Sequence, residues 1–168
     1  MFVINNKNIL ITGATSGIGR AAAIELAEKG ANIYFIARNI TKARSLKKVI
    51  FDKTKKEAFE IIADLSSLKE IKKAADKFKS FNKPLHVLLN NAGLINNVRK
   101  ETIDKFESVF AINHLAYFYL TQLLLNSLRN DTPSRIINVS SGAHAFVKGF
   151  DFKDVHSKNS YKPFKVYG

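Results

Sequence analysis

The residues best suited to do chemistry begin with three glycines. Gly13, Gly17 and Gly19 stand in the stretch Lys7–Arg20, KNILITGATSGIGR, spaced G-x-x-x-G-x-G. An apolar run (Ile9, Leu10, Ile11) stops at Thr12-Gly13, and a helical pattern starts directly behind the glycines. That is a buried strand, a tight turn and a helix start in one piece. Glycine accepts positive φ and lets backbone come close to a ligand. The helix start adds unpaired N–H groups and the positive end of a dipole. Together the turn and the helix start form a pocket for a phosphate group. The spacing is not the G-x-G-x-x-G of the widest dinucleotide fingerprint, and a turn that merely joins strand to helix is the plain alternative.

Other polar residues follow further apolar runs. Arg38 follows Ala31–Ala37, Asp64-Leu65 follows Ala58–Ala63, Asn90-Asn91-Ala92-Gly93 follows Pro84–Leu89, and Ser140-Ser141 follows Arg135–Val139. Ser141 lacks the G-x-S-x-G elbow and the acid–histidine order of a hydrolase nucleophile. His114 and His144 have neither a carboxylate partner nor metal-ligand spacing, so both are expected to be structural and no metal is expected.

The elements that must position these residues alternate. Helical patterns cover Ile18–Lys29, Thr41–Asp52 and Ser67–Phe81, and a long helix, apolar on most faces, runs from about Thr102 to Arg129. Ala143–Gly168 has no clear period and reads as mostly loop. Strands that are continuously apolar, alternating with helices, predict an α/β fold with a parallel sheet covered on both faces. Right-handed crossovers make it the doubly wound, Rossmann-like class, in which ligands bind beyond the carboxyl ends of the strands. Every candidate named above sits at such an end.

Bulk properties narrow the partners. The chain has 168 residues, 46% of them hydrophobic, which fits one domain over 1–168 with a sizeable core. No uninterrupted apolar run is long enough to span a bilayer, and the start lacks a signal-peptide pattern. Zero cysteines exclude a disulfide scaffold, and the expectation is a cytoplasmic protein. The net charge of +13 lies largely in Lys42–Lys56 and Lys69–Lys83, at the spacing of solvated helix faces, so no nucleic-acid partner is expected.

Thr12-Gly13-Ala14-Thr15-Ser16-Gly17-Ile18-Gly19, Asp64-Leu65, Asn90-Asn91-Ala92-Gly93, Asn113-His114 and Val139-Ser140-Ser141 occur in that order. Together they resemble the short-chain dehydrogenase/reductases over essentially the whole chain. Arg38-Asn39, Asn113-His114-Leu115 and Ser140–His144 are similar to the retinol dehydrogenase and WW-domain-containing oxidoreductase branch, although Ala116 stands where that branch usually has glycine. The resemblance implies hydride transfer between NAD(P) and a carbonyl or alcohol. It places Gly13, Ser16, Gly17, Ile18 and Gly19 at the pyrophosphate, Asp64 and Leu65 at the adenine, and Asn91, Ala92 and Gly93 on the adenosine side. It gives Ser141 (Ser140 as runner-up) the substrate oxygen, Asn113 a supporting role, and a tyrosine the proton.

Tyr167 fits that tyrosine; Tyr161 competes, since Lys165 completes Y-x-x-x-K, but Pro163 would spoil a helix presenting that pair. The lysine that belongs to Tyr167 falls just past Gly168. The family's last strands and substrate loops are likewise not in these residues, so the expectation is the N-terminal portion of a longer family domain. A lysine matters because a free phenol titrates near pH 10, and an adjacent ammonium stabilises the phenolate. For the cofactor, NAD-preferring folds carry an acid after the second strand. Arg38 stands there, and its guanidinium forks onto phosphate, which favours NADP(H) over NAD, with Lys42 and Arg44 as weaker accessories. Two further readings stay open: a cofactor-binding module without turnover, and a non-catalytic interaction protein using the helix over 102–129, which would also be the route to a homo-oligomer.

Overall fold

The computed structural model describes residues 3–129 and 133–168. Five strands, β1 (Asn8–Thr12), β2 (Asn32–Ala37), β3 (Phe59–Ile62), β4 (Val87–Asn90) and β5 (Arg135–Asn138), form one sheet in the order β3-β2-β1-β4-β5. Every pairing is parallel. The winding reverses between β1 and β4, so a crevice opens at their carboxyl ends.

Side-chain alternation along the strands builds two cores. Ile9 and Ile11 of β1, with Ile33, Phe35, Val87 and Leu89, face α1 (Gly17–Glu28) and α2 (Ile40–Thr54). Leu10, with Tyr34, Ile36, Ile61 and Leu88, faces α3 (Leu68–Ser80) and α5 (Ala116–Arg129). Because both faces are covered, the central strands are apolar at successive positions rather than alternate ones. Each buried Ile, Leu or Phe contributes roughly 1.5–3 kcal/mol of transfer free energy. The basic faces of α2 and α3 look outward and several of their lysines are paired, as in Lys48–Asp52 and Lys72–Asp76, both one turn apart.

The long helix starts later than its periodicity predicts. It runs from Ser108, through α4 (Ser108–Phe110) and a π turn (Ala111–Leu115), into α5. Residues 102–106 make a turn, in which the Thr102 amide donates to the Phe106 carbonyl and Lys105 adopts φ +67. The boundary is set by Glu107, a fully buried carboxylate that accepts hydrogen bonds from the Val109 and Phe110 amides at 2.9 and 2.8 Å. That cap satisfies helix-start amides that would otherwise be orphaned. By length and composition alone Ser108–Arg129 could cross a membrane, but its Ala116, Leu120, Leu124 and Leu128 row is buried in the second core. The tail is mostly irregular, as expected, with two short additions: a 3-10 turn at Gly142–Phe146 and α6 (Pro163–Tyr167).

Candidate functional site

A single cleft of about 1780 Å³ runs across the carboxyl ends of the strands. It is lined at one end by Gly13, Ser16, Gly17, Ile18 and Gly19, along its side by Arg38, Asp64 and Leu65, across its floor by Asn91, Ala92 and Gly93, and at the far end by Asn113, Ser141 and Tyr167. The structure thus brings the residues singled out for a cofactor or catalytic role onto one surface, except Arg44, the weaker accessory, which is not part of the lining. Tyr161 is not part of that lining. Its hydroxyl donates to the Asn96 carbonyl at 3.0 Å, and it precedes α6, which Pro163 opens at the position where proline is tolerated.

The glycine turn is held shut on the protein side and open on the cleft side. Asn91 Nδ2 donates to the carbonyls of Thr12 and Gly13 at 3.0 and 3.3 Å, so a methyl group on Gly19 would collide with that amide and with the Gly13 carbonyl. Gly17 adopts φ +51 and a methyl group there would meet nothing. α1 differs from its neighbours at the start. Asn39 caps α2 by accepting from the Lys42 amide at 2.9 Å, and Ser67 caps α3 through the Glu70 amide. Ser16, extended at the start of α1, makes no such bond. The first-turn amides of α1 are therefore available to an acceptor in the cleft. These features fit a phosphate-bearing cofactor.

Around that seat the remaining groups are fixed by local bonds. Glu70 reaches back from α3 and accepts the Asp64 amide at 2.6 Å, while the Asp64 carboxylate accepts the Ser66 amide at 2.8 Å. Arg38 is exposed at the end of β2, with Lys42 one helical turn further along the same wall. Asn113 lies in the π turn, and both ends of its amide are engaged: Oδ1 accepts from the Leu94 amide and Nδ2 donates to the Leu94 carbonyl, each at 2.9 Å. π turns are rare and concentrate at functional positions. Ser141 Oγ accepts the Ala143 amide at 3.2 Å, which starts the 3-10 turn and leaves the hydroxyl proton free to donate.

Among the lining residues given no chemical role by the sequence are Tyr117 and His144. Tyr117 is one helical turn beyond Asn113 and shares the cleft with Tyr167. Burial, with a lesser push from Tyr167, raises its phenol to about 12. The i, i+4 spacing from Asn113 was the available signal. His144, expected to be structural, is exposed in the cleft with Nδ1 2.8 Å from the Ser141 carbonyl. Among the described residues no group of histidines, cysteines and carboxylates could hold a metal ion.

Comparison with known proteins points the same way as the geometry. The family profile described as short chain dehydrogenase matches residues 7–152. Retinol dehydrogenase 12 of Mus musculus is 39% identical over 98% of this chain and 52% of its own length. The chain thus spans about half the length of the curated relatives it matches. Among solved structures, an uncharacterised protein from Mycobacterium paratuberculosis superposes with a TM-score of 0.83 and 31% identity, covering 98% of this chain and 57% of that one. A short chain dehydrogenase from Escherichia coli CFT073, complexed with NADPH, superposes with a TM-score of 0.78 and 26% identity over 98% of this chain and 65% of its own.

Proposed function

Since this chain belongs to the short-chain dehydrogenase family, we propose that it serves an NADP(H)-dependent oxidoreductase acting on a carbonyl or alcohol substrate. One observation carries the reading: the uncapped start of α1 lines the same cleft as Ser141 and Tyr167. The first-turn amides of α1 would hold the linked phosphates, and Asp64, Leu65 and Asn91 to Gly93 would flank the adenosine. Arg38 would fork onto a 2′-phosphate where an acid would repel it. The likeness to a structure holding NADPH supports that choice. The bound nicotinamide would supply or accept the hydride.

The protein's own groups would do the rest. The Ser141 hydroxyl, with its oxygen already engaged by the Ala143 amide, donates to the substrate oxygen. Tyr167 gives or takes the proton on that oxygen. Asn113 serves by fixing Leu94, since its side-chain amide is used there at both ends. The outer face of the long helix, where Phe118 is 58% exposed, is the proposed route to a homo-oligomer.

A second reading is a cofactor-binding module without turnover. The two separate in one assay. The chain has no tryptophan, so NADPH fluorescence can be followed without a competing protein signal. Saturable enhancement by NADPH is expected under both, and its absence overturns both. Oxidation of bound NADPH on adding an aldehyde, lost in Tyr167→Phe with binding retained, selects the enzyme.

A further inference from the structure

Three residues beyond Ser141, on the same 3-10 turn, His144 turns one ring nitrogen to protein and is otherwise exposed in the cleft. Its Nδ1 lies 2.8 Å from the Ser141 carbonyl oxygen. A carbonyl can only accept, so the ring nitrogen facing it must carry the proton. That fixes the neutral imidazole as the Nδ1–H tautomer and leaves Nε2 with its lone pair. Nε2 has no partner among the described residues. The turn that presents Ser141 is pinned by the same short segment, because Ser141 Oγ accepts the Ala143 amide and Ala143 itself is buried. His144 therefore stands at a fixed place in the chain relative to the group proposed to hold the reacting oxygen.

We infer that His144 is a specificity-determining residue, whose Nε2 accepts a hydrogen bond from a second hydroxyl on the substrate, remote from the reacting carbon. The inference deepens the reading of the cleft as a carbonyl or alcohol site and rests on it. It names a substrate class: aldehydes or alcohols that carry another hydroxyl donor. A neutral imidazole acceptor favours such a donor over an apolar substituent, because the apolar analogue leaves the nitrogen desolvated without a partner. Metal binding is not needed, and His144 exchanges no proton in this role.

The test uses the 168-residue chain with ¹⁵N-labelled histidine, NADPH, and two aldehydes, hexanal and 6-hydroxyhexanal. Long-range proton–nitrogen spectra of the free chain should show His144 protonated at Nδ1, the signal being assigned by its loss in His144→Phe. In the NADPH-loaded chain, 6-hydroxyhexanal should bind roughly fivefold more tightly than hexanal, the return expected of one hydrogen bond. It alone should move the Nε2 resonance. The preference should fall to near unity in His144→Phe and recover partly in His144→Gln, which keeps an acceptor. Protonation at Nε2 in the free chain overturns the inference, and so does a preference unchanged in His144→Phe. Binding of both aldehydes without preference sinks the inference alone. Failure to bind NADPH sinks the reading of the cleft and takes the inference with it.

Discussion

Thr12 Oγ1 accepts hydrogen bonds from two successive backbone amides, those of Asn91 and Ala92, each at 2.9 Å. The hydroxyl belongs to the last residue of β1 and the amides to the strap that leaves β4, so one oxygen closes the floor of the crevice. Thr12 is 1% exposed, which leaves little water to replace it. Thr12→Val keeps the shape and removes the acceptor. It should lower stability by about 2 kcal/mol, the scale of buried donors left unpaired, and Thr12→Ser should restore most of it. Urea unfolding midpoints of the three proteins decide this.

The glycine turn predicts two different failures. Gly17→Ala meets no atom and carries only the strain of a positive φ, so it should cost about 1 kcal/mol. Gly19→Ala must push aside Asn91 Nδ2 and the Gly13 carbonyl, both of which shape the phosphate seat. It should abolish nucleotide binding even where the chain still folds. Thermal melts paired with NADPH titration separate the two, and equal behaviour would contradict the geometry.

Arg38 carries the cofactor preference. Arg38→Asp replaces a phosphate-binding fork with a repelling charge, and charge-assisted bonds contribute roughly 1.5–3 kcal/mol. The NADPH-to-NADH affinity ratio should drop by about tenfold or more. A ratio that stays put would assign the choice to other residues.

Tyr117 gives stability a pH dependence at the alkaline end. Its phenol titrates at about 12 when folded, against about 10 in an unfolded chain. Between those values the folded chain holds the extra proton. The contribution is therefore intact below pH 10 and is lost as pH climbs towards 12. The slope is at most about 1.4 kcal/mol per pH unit, and less here because the ring is only half buried. Tyr34 and Tyr161, also raised by burial, add to the same decline. Denaturation midpoints of Tyr117→Phe should fall less steeply over this range than those of the native chain.

Much of this site was legible before the structure because a parallel sheet gathers what its strands carry at one end. Arg38, Asp64, Asn91 and Ser141 are far apart in the chain, yet each follows an apolar run, and the topology alone puts them on one rim. Where the reading slipped, the deciding interaction was one that periodicity does not register. The long helix was expected from Thr102 because apolar residues continue that far, whereas the buried Glu107 carboxylate sets its start at Ser108. β4 begins at Val87, behind the expected Pro84, because Leu85 donates its amide to the Ser127 carbonyl in the last turn of α5, outside the ladder. His144 has no carboxylate partner or metal-ligand spacing in the sequence, and its ring is held by a main-chain carbonyl, which no residue pattern displays.

The π turn at Ala111–Leu115 has a bearing on how this protein can change. A residue inserted or removed there rotates everything after it by about 100°. Asn113 would keep its grip on Leu94 while Leu120, Leu124 and Leu128 swung off the sheet and Tyr117 left the cleft. Length in those five residues is thus a phase setting shared by chemistry and core, and neither can be retuned without dragging the other round.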